Sequence, residues 1–358
     1  MLLGCSEDDN KPYDDGYDRS SLLENYADNI IIPSFESLGS RLEELKATST
    51  EFSATTNQDN LNNLSLQWIE AYKAWQHVQM YNLGKPDDLS GTSERGFVVF
   101  FNLYPVNTSE INNAAANGNY DLTNSNYYDS QGFPALDYLL HGVVEGDISA
   151  LDKFTTNANA EGYKAYLNDV IDRMESLISQ IVDDWKNSYR DIFIVNLDRG
   201  LNGSFNMLAN DFVYSYEKDF RADKVGIPAG NFSPTPLPEK VEAYYKSDIN
   251  KVLTLEALTA IERAFEGKAF NGNSTGPSLK TYLEFLDRED LVTEITNQFE
   301  AVRVAVNELD DNFSQQVISN NTAMTITYDV MQAAVPLLKV DMKQALNFAI
   351  DYTDSDGD

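Results

Sequence analysis

Few side chains in this sequence can do chemistry that water cannot. Among 358 residues there are two histidines, His77 and His141, and one cysteine, Cys5. A single cysteine forms no intrachain disulfide, and this set does not build a zinc site of nitrogen and sulfur ligands. The one suggestive spacing is Asp137 with His141. Four residues apart on a helix, they share a face and can pair or hold an ion together. The competing reading of His141 is a ring-sized filler before the helix-stopping Gly142, where positive charge is welcome. His77, between Trp75 and Val78, has no partner in sequence and reads as structural. No Gly-x-Ser-x-Gly elbow, phosphate loop or His-Glu-x-x-His helix occurs. Asp354-Ser355-Asp356-Gly357-Asp358 begins like a calcium loop but lacks the later bidentate glutamate, so it reads as a solvated tail.

Charge excludes one class of partner. There are 57 acidic residues against 26 basic ones, a formal net charge of −31. Such a surface repels nucleic acid and anionic headgroups. The acid is spread along the chain, as on a solvated surface. At 42% hydrophobic residues a substantial core can form, in one large domain or two ordinary ones.

The elements that must position these groups are helical. Tyr163, Tyr166, Leu167, Val170, Ile171, Met174, Leu177, Ile178, Ile181, Val182 and Trp185 recur at helical spacing and make one wide apolar stripe. Leu291 to Leu309 repeats the pattern, as do Leu23 to Leu45 and Leu64 to Val78. Pro33 should kink the helix that holds it. Segments 192–218, 247–266 and 327–350 also read as helices, and Thr322 to Tyr328 is β-prone but short. Residues 84–131 are loop-like with helical pieces near 93–104 and 108–116. Residues 223–241, with Gly226, Pro228, Gly230, Pro234, Pro236 and Pro238, should hold no regular element. The expectation is an all-α fold of two packed four-helix-type bundles: a tether over 1–18, one bundle over 19–190 and another over 191–358.

Leu2-Leu3-Gly4-Cys5 resembles the bacterial lipobox, which implies lipidation of Cys5 and a membrane held through that anchor. Ser6-Glu7-Asp8-Asp9 resembles the acidic signal that exports Bacteroidetes lipoproteins to the outer face of the outer membrane. The periplasmic face is the alternative. Residues 6 to 18 read as a flexible acidic tether.

Gly132-Phe133-Pro134-Ala135-Leu136-Asp137-Tyr138-Leu139-Leu140-His141-Gly142 resembles the imelysin motif, Gly-x-His-x-x-Glu followed by an apolar helix. Gly132 matches; Pro134 stands for the histidine and Asp137 for the glutamate. Trp75 and its polar surroundings, Phe101-Asn102-Leu103-Tyr104-Pro105, and Arg221 with Ile227-Pro228-Ala229-Gly230 resemble further segments of that family. The resemblance implies two helical bundles with the motif near their interface. It also implies a link to iron or haem uptake, and a peptidase activity thought to use a metal. Proline offers no ligand, and Asp137 alone holds no transition metal. Pro134 also fits a helix's first turn, and Asp137 the negative charge favoured there.

Three functions follow. The leading one is a non-catalytic binding lipoprotein beside iron or haem acquisition, taking iron or another divalent cation. Its candidate site is Gly132, Pro134, Asp137, Trp75, Asn102 and Arg221, with Arg221 pairing an anion and Trp75 forming a wall. The second is a metallopeptidase with altered ligands: Asp137, a carboxylate from elsewhere in the chain and, as an optional further ligand, His141. The third is a surface partner that contacts protein or glycan through Tyr120, Tyr127 and Tyr128.

Overall fold

The computed structural model describes residues 15–91 and 95–352. Helices dominate, and the described residues contain no strand, only an isolated bridge between Lys268 and Thr275. None of these helices is long and apolar enough to cross a membrane. Cys5 and Asp354–Asp358 lie outside the described residues.

In the first half, α1 (19–54) opens on Asp18, whose carboxylate accepts Ser21 N–H at 3.1 Å. Leu22, Leu38, Leu42, Leu45 and Phe52 bury its apolar stripe. The disturbance expected at Pro33 is a wide turn, Tyr26–Ile31, one turn earlier. Pro33 then falls in the first turn of the next α-helical stretch, where its missing N–H costs nothing. Next come α2 (Gln58–Trp75), α3 (Lys85–Ser90), α4 (Val98–Phe101), α5 (Thr108–Asn117) and α6 (Gly132–His141). The long α7 (160–195) packs its predicted stripe against α1. Each fully buried Leu or Ile there contributes about 1.5–3 kcal/mol.

The second half holds α8 (204–229), α9 (Asn250–Glu266), α10 (Leu279–Phe285), α11 (Glu289–Asn307), α12 (Phe313–Gln332) and α13 (334–346). Several boundaries differ from the sequence reading. The helix expected over 192–218 is interrupted at 196–203, where Gly203 lies so close to the Asp198 carbonyl that a Cβ would collide with it. The segment expected to lose order after 223 stays helical to Ala229 through the wide turns of Ser215–Gly226. Wider turns admit Gly226 and Pro228, and Gly230 ends the helix at φ 85°. Thr322 to Tyr328 lies inside α12, with Met324 and Thr327 buried: packing overrides β propensity.

One buried apolar cluster runs through both halves. The expected tether is docked from Asp15 onward. Tyr17 stacks on Tyr282 with ring centroids 3.9 Å apart, and Asp15 accepts the Tyr282 hydroxyl at 2.5 Å. Acidity alone suggested solvent; the Tyr17 ring supplies the adhesion.

Candidate functional site

Residues of the motif turn start from a backbone constraint. Gly132 has φ 74°, and a Cβ there would collide with the Phe101 carbonyl. Only glycine lets α6 begin against α4. Pro134 follows within the first turn, where helix N–H groups lack intrahelical partners.

Asp137 is 1% exposed, and both its oxygens are taken. Oδ2 accepts Tyr245 N–H at 2.8 Å and Oδ1 accepts Lys246 N–H at 2.9 Å. His141 Nδ1 donates to Oδ1 at 3.0 Å. With Nδ1 donating, His141 Nε2 accepts the Ser65 hydroxyl at 2.8 Å. Ser65, His141 and Asp137 thus stand in the order nucleophile, base and orienter. Ser65 lies inside α2, however, where the neighbouring amides bond along the helix. No pair of amides is left there for an oxyanion. The chain of bonds therefore acts as a strut from α2 through α6 to the loop at Tyr245.

Beside this strut, Trp75 stacks on Phe101 at 4.9 Å, and Tyr72 stacks on Phe133 at 4.4 Å. Trp75 is thus packed inside an aromatic core and forms no cleft wall, contrary to the role expected of it. Asn102 accepts the Tyr72 hydroxyl at 2.5 Å and donates to Glu242 Oε1 at 2.8 Å. Gln76 donates to the same oxygen at 3.1 Å and accepts Lys224 Nζ at 2.8 Å. Lys224 closes the network on Glu242 Oε2. All are buried, so every polar atom here needs the partners it has.

Arg221 does not join this group. Its guanidinium donates to Tyr328 at 2.7 Å and to Gln332, and lies 3.6 Å from Glu217. Those partners sit on α8 and α12, so the expected anion is internal. His77 has the partner that sequence could not show: Nε2 lies 2.8 Å from Glu256 Oε1 on α9. That bond holds the Glu256 carboxyl below its ordinary value. The three loop tyrosines turn inward as well. Tyr120 donates to Asp169 at 2.5 Å, Tyr128 meets Phe100 edge-on at 5.0 Å, and Tyr127 packs on the core.

A cleft of about 180 Å³ opens beside Pro134 and Asp137. Tyr104, Thr108, Glu239, Tyr244 and Tyr245 are oxygen-bearing residues of its lining. Burial pushes the Tyr245 phenol up to about 12 and Tyr104 well above its ordinary value. Sequence reading missed Glu239, Glu242, Tyr244 and Tyr245, because they sit in the proline-rich loop, which carries no period. Among the described residues, no three His, Cys, Asp or Glu side chains converge to hold a metal ion.

The peptidase M75 family model, described as Imelysin, matches residues 31–339. The chain belongs to the imelysin family. Two solved structures share its fold. One, described as an iron-regulated protein A precursor from Parabacteroides distasonis ATCC 8503, aligns with TM-score 0.65 and 16% identity, covering 93% of this chain and 98% of that one. The other, an imelysin-like protein from Psychrobacter arcticum 273-4, aligns with TM-score 0.64 and 14% identity, covering 94% and 99%. The chain has no match among curated proteins. Within the imelysin fold, the motif turn of this chain is a structural clasp.

Proposed function

We propose that this imelysin-family chain is a non-catalytic iron-binding lipoprotein, anchored through Cys5 at the outer membrane, with its ligand in the cleft beside Pro134. The observation that carries this reading is the occupancy of Asp137. Its carboxylate is spent on two amides and His141, and Pro134 brings no donor, so the motif turn retains no catalytic metal ligand. The cleft beside it is lined by phenols and the Glu239 carboxylate. Hard oxygen donors suit hard cations, and phenolate ligates iron. A cleft of about 180 Å³ is below the roughly 300 Å³ at which pockets for drug-sized ligands begin, and haem is larger still. An iron ion or small iron complex therefore fits better than haem. The iron-regulated description of the Parabacteroides relative is consistent with this role.

Ferric titration tests it. Burial pushes the Tyr245 phenol up to about 12, so binding as phenolate must displace its proton. A visible phenolate-to-iron absorption band is expected, saturating at one iron per chain. Tyr245→Phe should abolish or shift it, and Glu239→Gln should weaken binding about tenfold. Absence of the band and of calorimetric heat with ferric or ferrous ions would end this reading.

A further inference from the structure

A second cavity, about 220 Å³, shares no lining residue with the motif cleft. It lies where residues 79–87 and 95–98 meet α8, Asp351 and Tyr352. Four carboxylates line it: Asp87 on α3, Asp211 and Asp219 on α8, and Asp351. Leu83 and Met207 make apolar stretches between them. Arg95 is the cation of this lining, and it is already bonded to Asp223 while standing 3.5 Å from Asp219.

Acid alone does not make a site, but one buried acceptor here lacks any partner. Asn210 is 3% exposed and lines the cavity; its amide nitrogen donates to Ala349 at 3.3 Å while its Oδ1 accepts nothing. Asp219 Oδ1 accepts no hydrogen bond either, but Arg95 faces it across 3.5 Å. The partner missing from this lining is an N–H donor for Asn210 Oδ1. Burial raises Asp87, Asp211, Asp219 and Asp351 alike, a direction that a bound cation would oppose.

The geometry points to a small aliphatic amine with two or more ammonium groups as the ligand of this cavity. A bare metal ion fits less well, since the carboxylates do not converge on one point. They come from three separate parts of the chain, α3, α8 and Asp351, with the apolar Leu83 and Met207 in the same lining, which suits charges separated along a hydrocarbon chain. The ammonium groups would donate to the carboxylates and to Asn210 Oδ1, and the methylenes would cover Leu83 and Met207. This site is independent of the iron cleft.

Calorimetric titration of the purified protein with putrescine, spermidine and magnesium tests it. At 0.15 M salt the Debye length is about 8 Å, which suppresses loose attraction to the acidic surface. One saturable amine site per chain is expected. Asp211→Asn and Asp351→Asn should each weaken it at least tenfold. Asp172→Asn, on the surface of α7, should leave it unchanged. Asp351 lies near the chain end, so its variant decides the matter if Asp211→Asn fails to fold. No saturable amine binding, equal loss in Asp172→Asn, or magnesium binding in place of amine would overturn the assignment.

Discussion

Asp137 is the residue on which the motif turns. A carboxylate here accepts two backbone amides from another part of the chain, so its worth lies in both oxygens being acceptors. Asp137→Asn keeps the shape but turns one acceptor into a donor facing an N–H. Removing a buried partner costs about 1–3 kcal/mol, and more for a charged group. The variant should therefore lose about 2–4 kcal/mol in denaturant unfolding; an unchanged midpoint would refute the clasp. In the sequence this residue was legible as a polar group near a helix start. Its real partners, the amides of Tyr245 and Lys246, lie more than a hundred positions away and are invisible to any local pattern. The same distance hid Glu256 from His77 and Glu242 from Asn102.

At the scale of elements, periodicity served where helices bury one stripe. The stripes of α1, α7 and α11 were readable because burial repeats every turn. It failed in the Ser215–Gly226 stretch, where wide turns change the period and Glu217, Asp219, Arg221, Asp223 and Lys224 are all buried. Asp223 and Lys224, expected to lie where no regular element holds, are there helical and paired inside the protein. The Lys224–Glu242 pair, supported by Gln76 and Asn102, shows the energetic consequence. Breaking a buried pair from one side strands a charge and costs about 3–5 kcal/mol, whereas removing both charges is far cheaper. Glu242→Gln and Lys224→Met should each destabilise by that amount, and the double variant by clearly less than their sum. Additive losses in a double-mutant cycle would mean the pair is not coupled.

For the whole molecule, a formal net charge of −31 invites the view that stability simply rises as acid is neutralised. Two buried groups divide the pH axis more finely. Burial raises Asp219 from 3.8 to about 7. The folded state thus holds this proton more tightly than the unfolded one. That contribution is full below about 4 and is lost as pH rises toward 7. Burial lowers Lys153 from 10.5 to about 7. The unfolded state holds that proton more tightly, so stability recovers as pH rises from about 7 toward 10. Thermal unfolding should show Asp219→Asn flattening the limb below pH 7 and gaining a few degrees at pH 8, while Lys153→Met flattens the limb above. If the Asp219 variant keeps the wild-type slope between pH 4 and 7, the assignment of that limb fails.

The strut from Ser65 through His141 and Asp137 to the Tyr245 and Lys246 amides also has a mechanical meaning. It joins α2 and α6 of one half to the loop that leads into α9 of the other. A hinge opening along that line would have to strip a buried carboxylate of two amides at once. The strut therefore ties the two halves together beside the cleft at Pro134, and opposes a jaw-like movement there. At that turn Pro134 fixes the backbone and brings no ligand, so what the joint supplies is stiffness.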